Sequence, residues 1–174
     1  MPQDPLISIG RFTKPHGLRG EVVFLPYVYD LTLLPDLTQC SVTLQRASAP
    51  PRECTILELR MAHKQVLVRV VGYTTVTAAE TLRDYEVLIP RHWFPPLPAG
   101  EYYWFEIEGL MVYASDGQVL GTIAEIIYTG SNDVYVVRGG SREILIPALK
   151  DVVQMIDLVQ GAMHLCPVDG LLDT

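Results

Sequence analysis

The amino-acid sequence predicts an all-β protein in which two small β-barrels are joined by a proline-rich linker. Short apolar runs with a period of two alternate with glycine, proline or polar turns along the chain, a pattern typical of antiparallel sheets. Pro95, Pro96 and Pro98 interrupt this pattern near the middle of the 174 residues and favour an extended connection. Closure into barrels is the preferred arrangement because a small open sheet leaves unpaired edges.

The change in charge along the chain supports a division into a first domain at residues 1–92, a linker at 93–100 and a second domain at 101–174. Residues 1–92 carry ten Lys and Arg against nine Asp and Glu, whereas residues 93–174 carry three against eleven. The resulting net charges of +1 and −8 suit the two domains to different partners. The alternative is that the second domain simply has a well-solvated surface.

The first domain is predicted to contain six strands and one helix. Apolar runs place the strands at residues 6–12, 21–27, 40–45, 54–60, 65–71 and 86–90. The helix is predicted over residues 75–84, where Thr77 is the expected N-cap and Glu80, three positions later, completes a capping box.

The second domain is predicted to contain about five further strands with the same period of two. An Asp116-Gly117 pair between two apolar runs predicts a β-hairpin within residues 109–127. Other apolar runs place strands at residues 133–139, 143–149 and 162–168.

The segment TKPHGLRGEV, residues 13–22, gathers three potential cations into one loop of an otherwise acidic chain. A purely structural explanation is that proline and glycine turn one strand into the next. That explanation leaves the cations unaccounted for, and cations beside glycine backbone approach a phosphate closely. The loop is therefore a candidate RNA contact, although His16 alternatively holds the loop through a backbone hydrogen bond. Its candidate residues are Lys14, His16, Gly17, Arg19 and Gly20.

An aromatic triplet, Tyr102, Tyr103 and Trp104, directly follows the linker. If this segment is a strand, neighbouring rings point to opposite faces, so at least one is exposed or packs outside its own core. Tyrosine and tryptophan are favoured interface anchors, which makes the triplet a candidate partner-binding site. Two alternatives remain open: the rings clamp the two domains together, or they stack on RNA bases despite acidic neighbours that repel phosphates.

The sequence contains none of the motifs that carry catalysis or metal binding. It has no GxGxxG, no P-loop lysine and no grouped Ser, His and Asp, so no catalytic residues are expected. Its histidines and its three cysteines, Cys40, Cys54 and Cys166, lack metal-ligand or CxxC spacing, so no metal, cofactor or disulfide is expected. Apolar stretches shorter than the roughly 20 residues of a membrane span, and a start without signal-peptide character, predict a cytoplasmic protein without membrane contact.

Six segments taken together resemble one protein family. In chain order they read IGRFTKPHGLRGEVVF, AAETLRDYEVLIP, EYYWFEIEGLMV, DGQVLGTIAEIIYTGSNDVYVV, ILIPAL and DGLLD. This series is similar to the RimM family of ribosome maturation factors. The resemblance implies an N-terminal barrel like those of translation factors and a C-terminal barrel of the PRC type.

The same resemblance implies a function for the chain and roles for some of its residues. A family member is a non-enzymatic, monomeric assembly factor that binds the immature 30S subunit near its head, through ribosomal protein S19 and rRNA, and promotes rRNA processing. The family's ribosome-binding tyrosines fall on Tyr102 and Tyr103, with Trp104 completing the triplet. Thr75 and Val76 stand where many members carry an Asp-Arg pair, so an ion pair at the helix start is missing. The alternative function is a general RNA-binding β-barrel module.

Overall fold

The computed structural model describes residues 4–28, 30–140 and 142–167. Strands dominate the described chain, and its two α-helices are each of five residues or fewer, so the predicted all-β fold class is confirmed. The chain forms two compact units whose boundary lies between Pro96 and Leu97. The closing DGLLD motif lies outside the described residues.

The first unit is a closed six-stranded barrel with the strand order β1-β2-β5-β4-β3-β6. Its strands are β1 (Leu6–His16), β2 (Glu21–Pro26), β3 (Ser41–Arg46), β4 (Ala49–Ala62), β5 (Gln65–Val70) and β6 (Glu86–Pro90), with helix α1 (Val76–Glu80) between β5 and β6. All six strands correspond to apolar runs in the sequence. Apolar side chains fill the interior, so the barrel is packed rather than hollow, with fully buried Ile9, Phe12, Leu44, Ile56, Leu67 and Ile89.

A glycine in β1 allows the barrel to close. β1 pairs with both β2 and β6, and its register with β6 shifts between Ser8 and Gly10. A Cβ added at Gly10 would lie 2.5 Å from the Leu25 carbonyl oxygen and from the Phe24 ring, so only glycine fits this crossing. Irregularities of this kind bend a strand sharply enough for it to complete a barrel.

Helix α1 corrects the predicted N-cap. Thr75 has extended backbone angles and its hydroxyl accepts the backbone N–H of Ala78 at 3.1 Å, so Thr75 is the cap. Thr77 lies inside the helix, and the third helical position is occupied by Ala78 rather than by a carboxylate. The predicted capping box with Glu80 is therefore wrong, because it placed the helix start two residues too late.

The second unit is a six-stranded sheet with the order β10-β9-β8-β7-β12-β11. Its elements are helix α2 (Trp104–Ile107) and the strands β7 (Met111–Tyr113), β8 (Val119–Tyr128), β9 (Asp133–Gly139), β10 (Arg142–Pro147), β11 (Val153–Asp157) and β12 (Ala162–Leu165). β11 was not predicted, because its residues are only partly buried or exposed and give no clear apolar run. The core beneath the sheet includes Ile107, Val112, Ile123, Val137, Ile146 and Met163.

The predicted Asp-Gly hairpin joins β7 to β8. Gly117 has a φ of +87°, and the Asp116 carboxylate accepts the backbone N–H of Gln118 at 2.9 Å. Farther along β8, the backbone passes very close to β9: a Cβ on Gly139 would lie 2.0 Å from the Leu120 carbonyl oxygen. Glycine at this crossing lets the two strands coil around each other more tightly than side chains would permit.

Candidate functional site

The hairpin that joins β1 to β2 presents three basic side chains to solvent: Lys14 and His16 lie on the last residues of β1, and Arg19 lies in the turn that follows. The last paired residues of the two strands are His16 and Glu21, and the chain turns between them. The side chains of Lys14, His16 and Arg19 are exposed, as is Leu18 at the tip, with 87 % of its surface accessible. The sequence therefore places charge and one apolar side chain together at the end of a rigid hairpin.

The two glycines of this loop serve different purposes. Gly17 has a φ of +62° and faces open space, so it is needed only for its backbone angle. Gly20 has a φ of +77°, and a Cβ there would lie 2.2 Å from the carbonyl oxygen of Tyr73. At Gly20 the base of the loop therefore packs directly against the backbone that leads into α1. On the other side, the Arg83 side chain donates to the Thr13 carbonyl oxygen at 3.0 Å.

The loop cations lack carboxylate partners within the described ranges. Other cations of the same barrel are paired: Arg60 binds Glu21 at 2.8 Å, and Arg83 binds Glu80 at 3.1 Å. Lys14, His16 and Arg19 make no ion pair of this kind, nor does the His16 ring hydrogen-bond to any residue that the structure describes. The charges of Lys14 and Arg19 are thus available to an anionic partner.

Barrel topology adds further cations to the same end of the molecule. The β1–β2 loop, the β3–β4 hairpin and the segment from β5 to β6 all leave the barrel at one end, as the pairings of Val22 with Val68, Ile56 with Val70 and Gln45 with Glu86 require. Arg46, Arg52 and Arg83 belong to these connections or to the strand ends beside them. These arginines were not predicted as part of a site, because each stands alone in the sequence and only the folded barrel brings Arg83 beside the β3–β4 hairpin that carries Arg46 and Arg52.

The aromatic triplet does not lie on a strand, so the argument that neighbouring rings point to opposite faces does not apply to it. Tyr102 and Tyr103 are followed by the short helix α2, which starts at Trp104. The Glu106 carboxylate accepts the backbone N–H of Tyr103 at 3.1 Å, and the Glu108 N–H donates to the Trp104 carbonyl at 2.8 Å. These local bonds favour a helical turn over the extended backbone that the apolar pattern had suggested.

The helical turn collects the aromatic rings into a cluster. Tyr103 stacks on Phe105 with ring centres 5.2 Å apart, and Trp104 meets Phe105 edge-on at 5.0 Å. Tyr103 and Trp104 are buried, with 6 % and 8 % of their surfaces accessible, whereas Tyr102 is half-buried against the core of the second unit. Burial, with a smaller effect from the Glu106 carboxylate, raises the pKa of the Tyr103 hydroxyl.

The second unit has a predominantly anionic surface. Exposed carboxylates include Glu101, Glu108, Asp116, Glu125, Glu143 and Asp151. One of its few cations, Arg138, is already shared between Glu143 at 3.0 Å and Glu125 at 4.0 Å. Most of the negative charge is therefore not neutralised within the unit.

The described residues contain no cluster of three His, Cys, Asp or Glu side chains arranged to hold a metal ion. No helix in the described chain has the length and apolar character needed to cross a membrane. The three cysteines are free and partly buried, and burial raises the pKa of the Cys54 thiol to about 11.

Comparison with known protein families decides the identity of the fold. Residues 7–94 match the RimM N-terminal domain, and residues 104–171 match the RimM PRC barrel domain. The chain belongs to the RimM family. The two RimM domains account for both units, so the predicted combination of an N-terminal barrel and a PRC-type barrel is confirmed.

Individual relatives cover the chain almost completely. A ribosome maturation factor RimM from Geobacter metallireducens is 38 % identical over 168 residues, which is 97 % of this chain and 96 % of the relative. The ribosome maturation factor RimM from Geotalea daltonii is 38 % identical over 166 residues, covering 95 % and 94 %. A crystal structure of a 16S ribosomal RNA processing protein RimM from Pseudomonas aeruginosa is 33 % identical, covers 92 % of this chain and 96 % of its own, and has a TM-score of 0.46.

Proposed function

We propose that this RimM-family chain is a non-enzymatic maturation factor that binds the 30S ribosomal precursor through rRNA and ribosomal protein S19 and promotes rRNA processing. The observation that carries the proposal is the separation of charge between the two units. Unpaired cations stand at one end of the first barrel, whereas the second unit exposes carboxylates. Relatives that cover nearly the whole chain are named ribosome maturation factors, which supports a ribosomal target.

The first barrel provides the proposed rRNA contact. Lys14, near the end of β1, and Arg19, in the turn, are exposed on either side of Gly17, and Gly20 fixes the base of that turn. Phosphate contacts from such side chains give affinity without reading sequence, and each released counterion makes binding weaker as salt rises. The near-neutral charge of this half avoids overall repulsion from RNA.

The second unit provides the proposed protein contact. Ribosomal proteins are mostly basic, so an anionic surface accelerates encounter with one of them and disfavours RNA. Tyr102, Tyr103 and Trp104 are the proposed anchors, in keeping with the role of aromatic rings at interfaces. With one unit on RNA and the other on S19, the factor stabilises one arrangement of the immature particle among several, and this requires no catalysis. We propose that it acts in this way as a cytoplasmic monomer.

The rRNA contact is tested by salt titration of binding to purified 30S precursors. Replacing Lys14 and Arg19 by glutamine removes two charges. The slope of the logarithm of affinity against the logarithm of salt concentration should then become less steep by about one per cation. Lys64→Gln is the matched control, because Lys64 lies in the β4–β5 turn at the opposite end of the barrel. An unchanged slope for the double variant, or an equal change in the control, would refute this contact.

The protein contact is tested separately with Tyr102→Ala combined with Tyr103→Ala. Cosedimentation with precursors, and crosslinking to S19, should both weaken in this variant while the salt slope is retained. Undiminished sedimentation with the particle would reject the role of the tyrosines. Tight binding to naked rRNA with no preference for precursors would instead favour the general RNA-binding alternative.

A further inference from the structure

Two arginines of the first barrel stack on one tyrosine ring. The guanidinium carbon of Arg46, at the end of β3, lies 4.6 Å from the centre of the Tyr85 ring. The guanidinium carbon of Arg52, near the start of β4, lies 4.4 Å from the same centre and 5.9 Å from the Tyr73 ring. Two guanidinium groups thus lie against a single ring that carries no net charge.

Neither guanidinium has a counter-charge among the residues that the structure describes. The Nε atoms of Arg46 and Arg52, and Nη2 of Arg52, are shielded from solvent and meet no hydrogen-bond acceptor in the described chain. Arg46 Nη1 makes one long contact, 3.5 Å, to the carbonyl oxygen of Arg83. By contrast, Arg60 in the same barrel makes two-pronged hydrogen bonds to the Glu21 carboxylate.

The two arginines lack a negatively charged partner within the part of the chain that the structure describes. The face of Tyr85 attracts each cation, but the ring carries no net charge and leaves the repulsion between the two arginines in place. Elsewhere in this barrel a guanidinium is neutralised by a carboxylate, as Arg60 on β4 is by Glu21 on β2. Guanidinium groups fixed by aromatic stacking keep their remaining donors oriented, and that fork matches the geometry of a phosphate.

The pair also adjoins the candidate RNA loop. Tyr73, whose ring faces Arg52, also provides the carbonyl oxygen against which Gly20 packs. Arg83, whose carbonyl meets Arg46, donates its side chain to Thr13 at the base of the same loop. The paired arginines and the loop therefore belong to one continuous end of the barrel.

We propose that Arg46 and Arg52, stacked on Tyr85, form a binding site for a phosphate group. The inference rests on the proposed function in one respect: a phosphodiester of rRNA is the source of phosphate that a ribosome-bound barrel would meet. A free phosphate is the other source of the same chemistry. The occupied site has one phosphate whose oxygens accept from both guanidinium groups, which cancels their mutual repulsion.

The experiment compares the combined substitution Arg46→Gln and Arg52→Gln with the full-length parent chain. One arm titrates a short single-stranded RNA across a range of salt concentrations; removal of both arginines should reduce the salt slope by about 0.7 per lost contact. The other arm titrates inorganic phosphate against chloride at equal ionic strength and follows the Nε–H NMR signals of the arginines. The control is Arg69→Gln, since Arg69 is exposed and already paired with Glu58 at 3.3 Å.

Each result has a definite meaning. A smaller salt slope for RNA binding in the double variant assigns the site to rRNA phosphate. Arginine Nε–H signals of the parent chain that shift with added phosphate, without any change in the salt slope for RNA, assign the site to free phosphate. If neither arm differs from the Arg69→Gln control, the inference is wrong and the stack is only structural. Arg52→Lys guards against misfolding: because it keeps the charge but loses the planar fork, it should retain the salt slope of RNA binding while weakening the affinity for phosphate.

The outcome is distinguishable from that of the proposed function. Cosedimentation with 30S precursors is measured on the same variants. If cosedimentation is retained and neither the RNA titration nor the phosphate titration is affected, the arginine site is refuted and the ribosomal role is not. Phosphate binding without any association with precursors supports the site and contradicts the ribosomal role.

Discussion

The loop glycines allow a paired test of how the candidate RNA site is held. Gly17 and Gly20 both have positive φ, +62° and +77°, and lie in the same turn. They differ in surroundings, since Gly17 faces open space whereas Gly20 meets the backbone at Tyr73 and Thr74. Alanine at each position therefore separates the cost of the backbone angle from the cost of the contact.

The expected free energies follow from these two terms. A left-handed backbone costs a non-glycine residue about 1–2 kcal/mol, and alanine recovers about 0.4–1 kcal/mol by restricting the unfolded chain. Gly17→Ala should thus lower the free energy of unfolding by about 1 kcal/mol. At Gly20 the added carbon would lie 2.2 Å from the Tyr73 oxygen, well inside any normal contact. The backbone must shift, which adds about 1–3 kcal/mol, so Gly20→Ala should cost about 3 kcal/mol.

Urea denaturation of the full chain, followed through NMR signals of first-barrel residues, measures both values. The difference between the two variants should be about 2 kcal/mol, and signals of Tyr73 and Thr74 should move only in Gly20→Ala. Equal losses in the two variants would show that the backbone angle alone matters. The conclusion that Gly20 anchors the loop would then be wrong.

Three further outcomes are expected. Thr75→Ala removes the cap of α1 and should cost about 1 kcal/mol in urea denaturation, whereas Thr77→Ala should be nearly neutral; the reverse order would restore the predicted cap at Thr77. Because burial raises the pKa of the Cys54 thiol from 9.0 to about 11, iodoacetamide should alkylate it about a hundredfold more slowly at pH 8 in the folded chain than in the unfolded chain, and equal rates would contradict this. The free energy of unfolding should also fall as the pH rises from 9 to 11, since the folded state keeps the thiol proton to higher pH than the unfolded state does. A double-mutant cycle on Arg60 and Glu21 should give about 0.5–1 kcal/mol of coupling that weakens in high salt, and salt-independent coupling would oppose a Coulombic origin.

Strand positions in the first barrel were predictable because each strand is a short apolar run bounded by polar or turn residues. In QVLVRV, Val66, Leu67, Val68 and Val70 are buried while the polar Gln65 and Arg69 are exposed, and the register leaves little freedom once the apolar side chains face the core. The same logic failed for β11, whose Gln154 and Met155 are exposed and whose other residues are only partly buried. A strand whose burial comes from its neighbours rather than its own pattern leaves no such signal.

The aromatic triplet shows a different limit. Three successive apolar residues are compatible with either a strand or a buried turn, and hydrophobicity alone does not separate them. The deciding contact is the Glu106 carboxylate on the Tyr103 N–H, a local hydrogen bond. Its sequence signal was present, since an acceptor three residues beyond a possible helix start is a recognised feature of helix N-termini, but tyrosine is an unusual residue in the capping position.

The cationic end of the first barrel illustrates why a site can be partly readable from sequence. Lys14 and Arg19 were found because they are close together along the chain and lie beside glycine. Arg46 and Arg52 lie on the two neighbouring strands of the β3–β4 hairpin, whereas Tyr85 follows 39 and 33 residues later in the sequence, and nothing in the spacing links it to them. The contact of both arginines with Tyr85 depends on the pairing of β3 with β6, which closes the barrel. A site that arises from closure should therefore be lost when closure is lost, whereas the loop charges would remain adjacent in any extended chain.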